Sequence, residues 1–262
     1  MSTTFNASVA EHYEQLMGRW SRRLARPFAH FAGVTDGERL IDVGCGTGSL
    51  TYTLRELAPN ATIVGIDLAQ SYLDYARARG SDPKMTFERA DATDLPFADG
   101  SFDRALSLLV LHFIPESSRV VGQLRRVVRS GGVAAACVWD NYGGLPHLRL
   151  VFDVASTLGF GRERSLLRPL TAPGELEAAW KAGGFRNVTA STLAMRFEFN
   201  DFDEYWSALS VGEGPTGALI TNLAPDDRER LREHVRLVYL SAKPDGPRSF
   251  AGTAWVCRGE VP

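Results

Sequence analysis

Glycine recurs at every second position in residues 39–67, RLIDVGCGTGSLTYTLRELAPNATIVGID: Gly44, Gly46 and Gly48 separate an apolar run (Leu40, Ile41, Val43) from one bearing Leu50, Leu54 and Leu57. Glycine reaches dihedrals closed to other residues and lets a ligand approach the backbone closely. The helix expected after it offers unpaired N–H groups at its start. A second apolar run, Ala61 to Ile66, ends on an acid, Asp67. Two adjacent parallel strands would set Asp67 beside the glycine loop, at the carboxyl edge where open α/β sheets bind ligands. Its carboxylate can accept hydrogen bonds from both hydroxyls of a ribose. The spacing is G-x-G-x-G, with Ser49 after Gly48, so the third glycine of the dinucleotide fingerprint is missing, which counts against NAD.

The elements that must position this loop follow from periodicity. Residues 8–31 predict a helix, with Leu16, Trp20 and Leu24 on one face and Pro27 interrupting it near its end. Arg19, Arg22, Arg23 and Arg26 share another face, read either as a solvated basic surface or as a helix lying across the ligand mouth. Strands are expected at Leu40, Ile63, Met85, from Phe102 to Val110, and from Val133 to Trp139, separated mostly by helical stretches; the simplest topology is a parallel sheet. Arg125, Arg126 and Arg129 read as a solvated face of the helix before the fifth strand. Pro173 to Ala182 predicts a helix closed by Gly183-Gly184. Strands follow at 187–199 and 250–257, with helices at 202–209 and 226–239 and a glycine-rich link, GEGPTG, between them.

Composition narrows the class. The chain has 262 residues, 44% of them hydrophobic, with a net charge of -2 and a pI near 6.2. It can bury a sizeable core and has no global field to attract nucleic acid or an anionic membrane. Cys45, Cys137 and Cys257 lie far apart without C-x-x-C pairing, so neither a disulfide framework nor a zinc site is expected, and a reducing cytoplasm is the default. The N-terminus lacks a signal-peptide pattern, and no apolar run approaches the ~20 residues that span a bilayer.

The run DVGCGTG (42–48) followed by GID (65–67) resembles motif I and the acidic ribose loop of class I S-adenosylmethionine (SAM) methyltransferases. The run LPFADGSFD (95–103), an apolar strand and Leu111-His112 is similar to the small-molecule group that includes ubiquinone and menaquinone biosynthesis enzymes. The resemblance implies a seven-stranded, doubly wound, Rossmann-like α/β sheet ending in an antiparallel strand pair, with SAM as cofactor and S-adenosylhomocysteine as product. It divides the chain into an N-terminal helical segment (1–37), the SAM-binding core (38–140), cap insertions (141–170 and 200–247) and the rest of the sheet (171–199 and 248–262). The implied cofactor contacts are Tyr13, Arg19, Asp42, Gly44, Cys45, Gly46, Gly48, Asp67, Leu68, Asp91, Ala92 and Leu108. Asp91 has a second reading as a turn cap, since Asp is favoured there with or without ligand.

SAM carries its own electrophile, so a base is needed only where the acceptor must lose a proton; His112, Asp140 and His147 are the candidates, in that order. A structural histidine is the alternative for His112. The Asn/Asp-Pro-Pro-aromatic motif of nucleobase amino methylation is missing at residues 107–110, and no cysteine follows a proline. Asp140-Asn141 supplies half of a catechol-type metal site, but Leu108 stands where its first acid belongs, so no metal is expected. The expected partner is a small-molecule acceptor, with no nucleic acid and no membrane insertion; a homodimer is compatible. The aromatics Trp180, Phe197, Phe199, Tyr205 and Trp206 serve either an apolar acceptor or the core. The competing classes are an NAD-dependent oxidoreductase and a catalytically silent SAM-binding protein.

Overall fold

The strand Arg39–Val43 (β1) is buried at every position but its first, because it lies in the middle of the sheet with parallel neighbours on both sides. The computed structural model describes residues 17–161, 168–210 and 214–262. In chain order the helix Arg19–Ala32 (α1) precedes β1, and Ser49–Leu57 (α2) leads to Thr62–Asp67 (β2). Gln70–Ala78 (α3), Met85–Arg89 (β3) and Phe102–Leu108 (β4) follow. Ser117–Val127 (α4) and Val128–Trp139 (β5) come next, then Pro146–Thr157 (α5), Glu175–Ala182 (α6) and Arg186–Phe199 (β6). Phe202–Leu209 (α7), Gly214–Thr221 (α8) and Pro225–Leu240 (α9) stand before Arg248–Glu260 (β7).

These strands form one seven-stranded sheet in the order β3-β2-β1-β4-β5-β7-β6, parallel from β3 to β5 and antiparallel at β5-β7-β6. The expected doubly wound sheet with a terminal antiparallel pair is therefore what the chain forms. Its direction of winding reverses between β1 and β4, which opens a crevice at their carboxyl ends. Side chains alternate between two cores, as a period of two requires. Leu40, Leu106, Leu108, Cys137 and Trp139 face α1, α2 and the late helices, while Ile41, Ala105, Ala136 and Val138 face α4 and α6. All three cysteines are free and buried.

Several local expectations are corrected. Pro27 lies inside α1, which runs on to Ala32. An interior proline costs about 3 kcal/mol, but Trp20, Leu24 and Phe28 are buried on that helix, and each contributes roughly 1.5 to 3 kcal/mol. Its arginines are not simply solvated: Arg19 pairs with Glu204, Arg23 with Glu198 at 2.7 Å and Arg26 with Glu56 at 2.8 Å. Arg126 likewise donates to the carbonyls of Leu95 and Phe97 and to Asp99, holding the 95–99 turn in place. β4 stops at Leu108 because Leu109 turns the chain at φ +63°. β5 begins at Val128 rather than Val133, since Gly131 N–H donates to Val261 and Val261 N–H to Gly132, continuing the ladder. Pro173 precedes α6, which starts at Glu175 after Gly174, and Gly214 to Gly217 of the predicted link open α8, with Pro215 near its start.

β7 and β6 outrun the rest of the sheet. Trp139, the last residue of β5, pairs with Ala254, yet the β6-β7 ladder continues to Phe199 opposite Arg248. The overhang from Arg248 to Gly252 projects ~17 Å beyond the carboxyl edge at about 3.4 Å per residue. α7, α8 and α9 are inserted at that end. Phe197, Phe199, Tyr205 and Trp206 are buried there, with Phe199 5.2 Å from Tyr205 and Tyr205 4.9 Å from Tyr239. Trp180 is not part of this group: it packs on Phe185 and its indole donates to the Ala134 carbonyl at 3.0 Å on the other face. These aromatics are core.

At the amino edge, Arg104 binds Glu38 through two nitrogens and donates to the Ala32 carbonyl, the ion pair being only 11% and 15% exposed. Glu38→Ala leaves a nearly buried guanidinium without its counter-charge and is expected to lower unfolding stability by about 3 kcal/mol, read from urea denaturation. A loss under 1 kcal/mol would mean that water replaces the carboxylate there.

Candidate functional site

The loop after β1 is shaped by hydrogen bonds from β2. Gly44 N–H and Cys45 N–H both donate to the Ile66 carbonyl at 2.8 Å. Gly46 N–H donates to Asp67 Oδ2 and Ala69 N–H to Asp67 Oδ1, each at 2.9 Å. One carboxylate therefore joins the glycine loop to the turn that starts α3. A carboxylate offers about four lone-pair sites, so acceptor capacity remains for a ligand beside these amides. Burial raises the proton affinity of Asp67, and the amides of Ala69, Gly46 and Leu68 oppose it.

The three glycines are needed for different reasons. Gly44, Gly46 and Gly48 have φ of +76°, +53° and +84°. A Cβ on Gly44 would lie 2.5 Å from Val110, and one on Gly48 would press on Tyr52 and Phe87. Gly46 faces open space, with no atom within 4 Å of where its Cβ would be. It is the position at which a ligand can touch the backbone.

Beneath the loop, Asp42 is 1% exposed. Its Oδ2 accepts Thr51 Oγ1 at 2.6 Å, while its Oδ1 and Ser49 Oγ are buried without a partner among the described residues. Unsatisfied buried polar atoms call for a ligand, water or ion. Burial raises the Asp42 carboxyl to about 7, against the Thr51 hydrogen bond, with the Asp67 charge adding to the rise.

The other expected contacts are distributed unevenly. Cys45 turns its side chain into the core, 6% exposed, and Leu108 and Ala92 are core residues as well; only their backbones are left to meet a ligand. Leu68 is half-buried beside Asp67. Ala90 N–H donates to the Asp67 carbonyl, which brings Asp91 close to the loop. Asp91 Oδ1 accepts both the backbone N–H and the hydroxyl of Thr93 at 2.8 Å, as a turn cap does. Burial opposes its ionisation, but those hydrogen bonds prevail and hold it below the usual carboxylate range. Arg19 is occupied by Glu204 and stacked 4.1 Å from the Trp20 ring. Tyr13 and the expected start of its helix lie outside the described residues.

The three candidate bases come from the turn after β4, the end of β5 and the first turn of α5, and among the described residues no hydrogen bond joins them into an acid-base pair. His112 sits in a single turn, Leu111–Phe113, 2% exposed, and burial together with the Arg168 charge pushes it down to about 3. His147 is stacked on Phe197 at 3.8 Å and burial alone takes it to about 3. Asp140 accepts the N–H groups of Tyr142 and Gly143 at 2.9 and 3.1 Å, as a turn cap does. Among the described residues no group of three His, Cys, Asp or Glu side chains is arranged to hold a metal ion, and no helix is long and apolar enough to cross a membrane.

Sequence reasoning missed Val110, Leu109 and the Asp42–Thr51 pair. Each depends on a contact between elements: Thr51 reaches back from α2 to Asp42 on β1, and Leu109 N–H donates to the Cys137 carbonyl at 2.7 Å, which sets Val110 against Gly44. Spacing along the chain carries no signal of that.

The Asp42 shift predicts a pH dependence in the ligand-free protein. Between its ordinary value and about 7, the unfolded chain is ionised at this position while the native one holds its proton. Stability therefore falls as pH rises from ~4 to ~7, by at most ~4 kcal/mol. Asp42→Asn is expected to flatten this part of the profile of unfolding free energy against pH; an unchanged slope would show that Asp42 ionises normally.

Residues 41–136 match the methyltransferase domain family. The chain is 34% identical over 114 residues to 27-O-demethylrifamycin SV methyltransferase of Amycolatopsis mediterranei, covering 42% of each. It is 35% identical over 120 residues to erythromycin 3''-O-methyltransferase of Saccharopolyspora erythraea, covering 44% of this chain and 39% of that one. The chain thus spans about two fifths of the length of these curated relatives. Its fold is shared with Haemonchus contortus phosphoethanolamine N-methyltransferase 2 in complex with phosphomonomethylethanolamine and S-adenosylhomocysteine. The TM-score is 0.59 at 15% identity, over 97% of this chain and 57% of that one. Residues 41–136 of the α/β core are accordingly a methyltransferase domain, similar to those of SAM-dependent methyltransferases.

Proposed function

We propose that this chain binds SAM in the Gly44–Gly48 loop and transfers its methyl group to a small or medium-sized acceptor held beneath the helices of residues 141–170 and 200–247. The observation that carries this reading is the open approach at Gly46, flanked by the Asp67 carboxylate. The unsatisfied Asp42 Oδ1 and Ser49 Oγ below it fit a polar ligand rather than a bare turn.

In this reading Gly44 to Gly48 approach the cofactor through their backbone, Asp67 accepts the ribose hydroxyls, Leu68 and Ala92 border the adenine and Asp91 meets its amino group. Bound there, SAM supplies a sulfonium-activated methyl group. The chain's own work is to orient the acceptor and exclude water, and positioning of this kind can supply on the order of 7 to 11 kcal/mol. His112 and His147 are neutral at physiological pH and weak bases. They serve better to orient an acceptor hydroxyl than to deprotonate it, and Asp140 stands in the same role at the end of β5. Of the proteins named above, the two that match in sequence are named for erythromycin 3''-O-methylation and for 27-O-demethylrifamycin SV, which favours an oxygen nucleophile, while the structural neighbour is an N-methyltransferase and keeps nitrogen as the alternative. The buried free cysteines accord with a cytoplasmic location.

Calorimetric titration with SAM and, separately, with NADH tests the cofactor. SAM is expected to bind and NADH not; the opposite pattern would replace this reading with an oxidoreductase. Asp67→Ala is expected to weaken SAM by about 1 to 3 kcal/mol, or roughly 5- to 150-fold. Transfer of labelled methyl from SAM to a panel of hydroxylated metabolites then separates an enzyme from a silent binding protein.

A further inference from the structure

A groove of about 710 Å³ runs between α5 and α9, within the size range of small-molecule sites. On α5 its wall carries an apolar row at every fourth position, Pro146, Leu150, Val154 and, just past the helix end, Leu158, beside a polar row of Arg149, Asp153 and Thr157. α9 faces it with Leu237 and Val238, 67% and 50% exposed, and β7 closes one side with Phe250. The large hydrophobic residues exposed among those described are these two and Tyr142, 52% exposed, and all three line this groove. An apolar surface left open and gathered in one place marks a binding site.

The polar groups beside it bind one another. Arg149 and Asp153 form an ion pair at 2.9 Å, and Thr157 donates to the Asp153 carbonyl. The occupant is thus gripped by dispersion and burial along its length. The groove also has a direction. It begins at Asn141 to Gly143, directly after Asp140 at the carboxyl end of β5, and leads away along α5, whose 12 residues span ~18 Å. An interface between two copies needs about 800 Å² and 20 to 30 residues from each partner, far more than three exposed apolar side chains provide.

From the geometry we infer that this groove holds an extended aliphatic chain, the tail of the methyl acceptor, whose reacting head lies toward Asp140. The inference rests on the methyltransferase reading for its link to catalysis, while the groove's affinity for a chain is a separate matter. cis-Parinaric acid, which fluoresces in apolar surroundings, is titrated into the full chain and displaced with saturated fatty acids of increasing length. Saturable one-to-one binding is expected, with displacement strengthening about three- to fourfold per added methylene until the groove is filled. Leu237→Glu combined with Val238→Glu, both at exposed sites, should weaken the probe at least tenfold with melting temperature and SAM affinity unchanged. Methyl transfer to a long-chain hydroxylated acceptor should show a raised KM with kcat retained. Absence of probe binding, or equal binding by the double variant, overturns the inference. A wild-type dimer that the double variant breaks into monomers also overturns it, because the groove would then be a self-interface. Probe binding without SAM binding would leave the chain-binding groove standing and remove the methyltransferase reading.

Discussion

The Asp67 carboxylate joins the two halves of the site. One oxygen accepts Gly46 N–H and the other Ala69 N–H, while the neighbouring Ile66 carbonyl takes the amides of Gly44 and Cys45. The end of β2 thereby dictates the course of the loop after β1. A loop of glycines in left-handed conformations would otherwise sample many shapes, since glycine has the most conformational freedom to lose. Holding it with charge-assisted hydrogen bonds in a half-buried position makes the cradle rigid.

The rest of the sheet sustains that contact. Winding reverses between β1 and β4, so the chain opens there, and Val110 closes over Gly44 because Leu109 bends β4 toward Cys137. Asp42 lies under the loop, where burial lifts its carboxyl to about 7 and leaves it only partly ionised near neutrality. Polar groups in such a place destabilise a fold unless something binds them, which is why they accompany a site rather than a core.

The surroundings divide between packing and access. The ring cluster around Phe199 and Tyr205 seals the far end of the sheet. His147 belongs to it by its stacking on Phe197. α5 and α9, by contrast, pack together and leave an open apolar groove along their seam. The two insertions together thus provide a sealed floor and an open channel.

How much was legible in the sequence depended on range. Gly44, Gly46, Gly48 and Asp67 are recognisable from residue order alone, because strand, tight turn, helix and terminal acid are local patterns whose backbone requirements leave few substitutes; the strand rhythm also implies a parallel sheet. What the arginines of α1 and α4 do is not recognisable in that way: a charge at helical spacing looks solvated until Glu204, Glu198 or the 95–99 turn is brought beside it. The cap role of Asp91, the burial of His112 and His147 and the groove between α5 and α9 likewise exist only once distant segments pack. Local dihedral preference and hydrophobic period are written along the chain, whereas desolvation and pairing depend on neighbours that only the tertiary fold supplies.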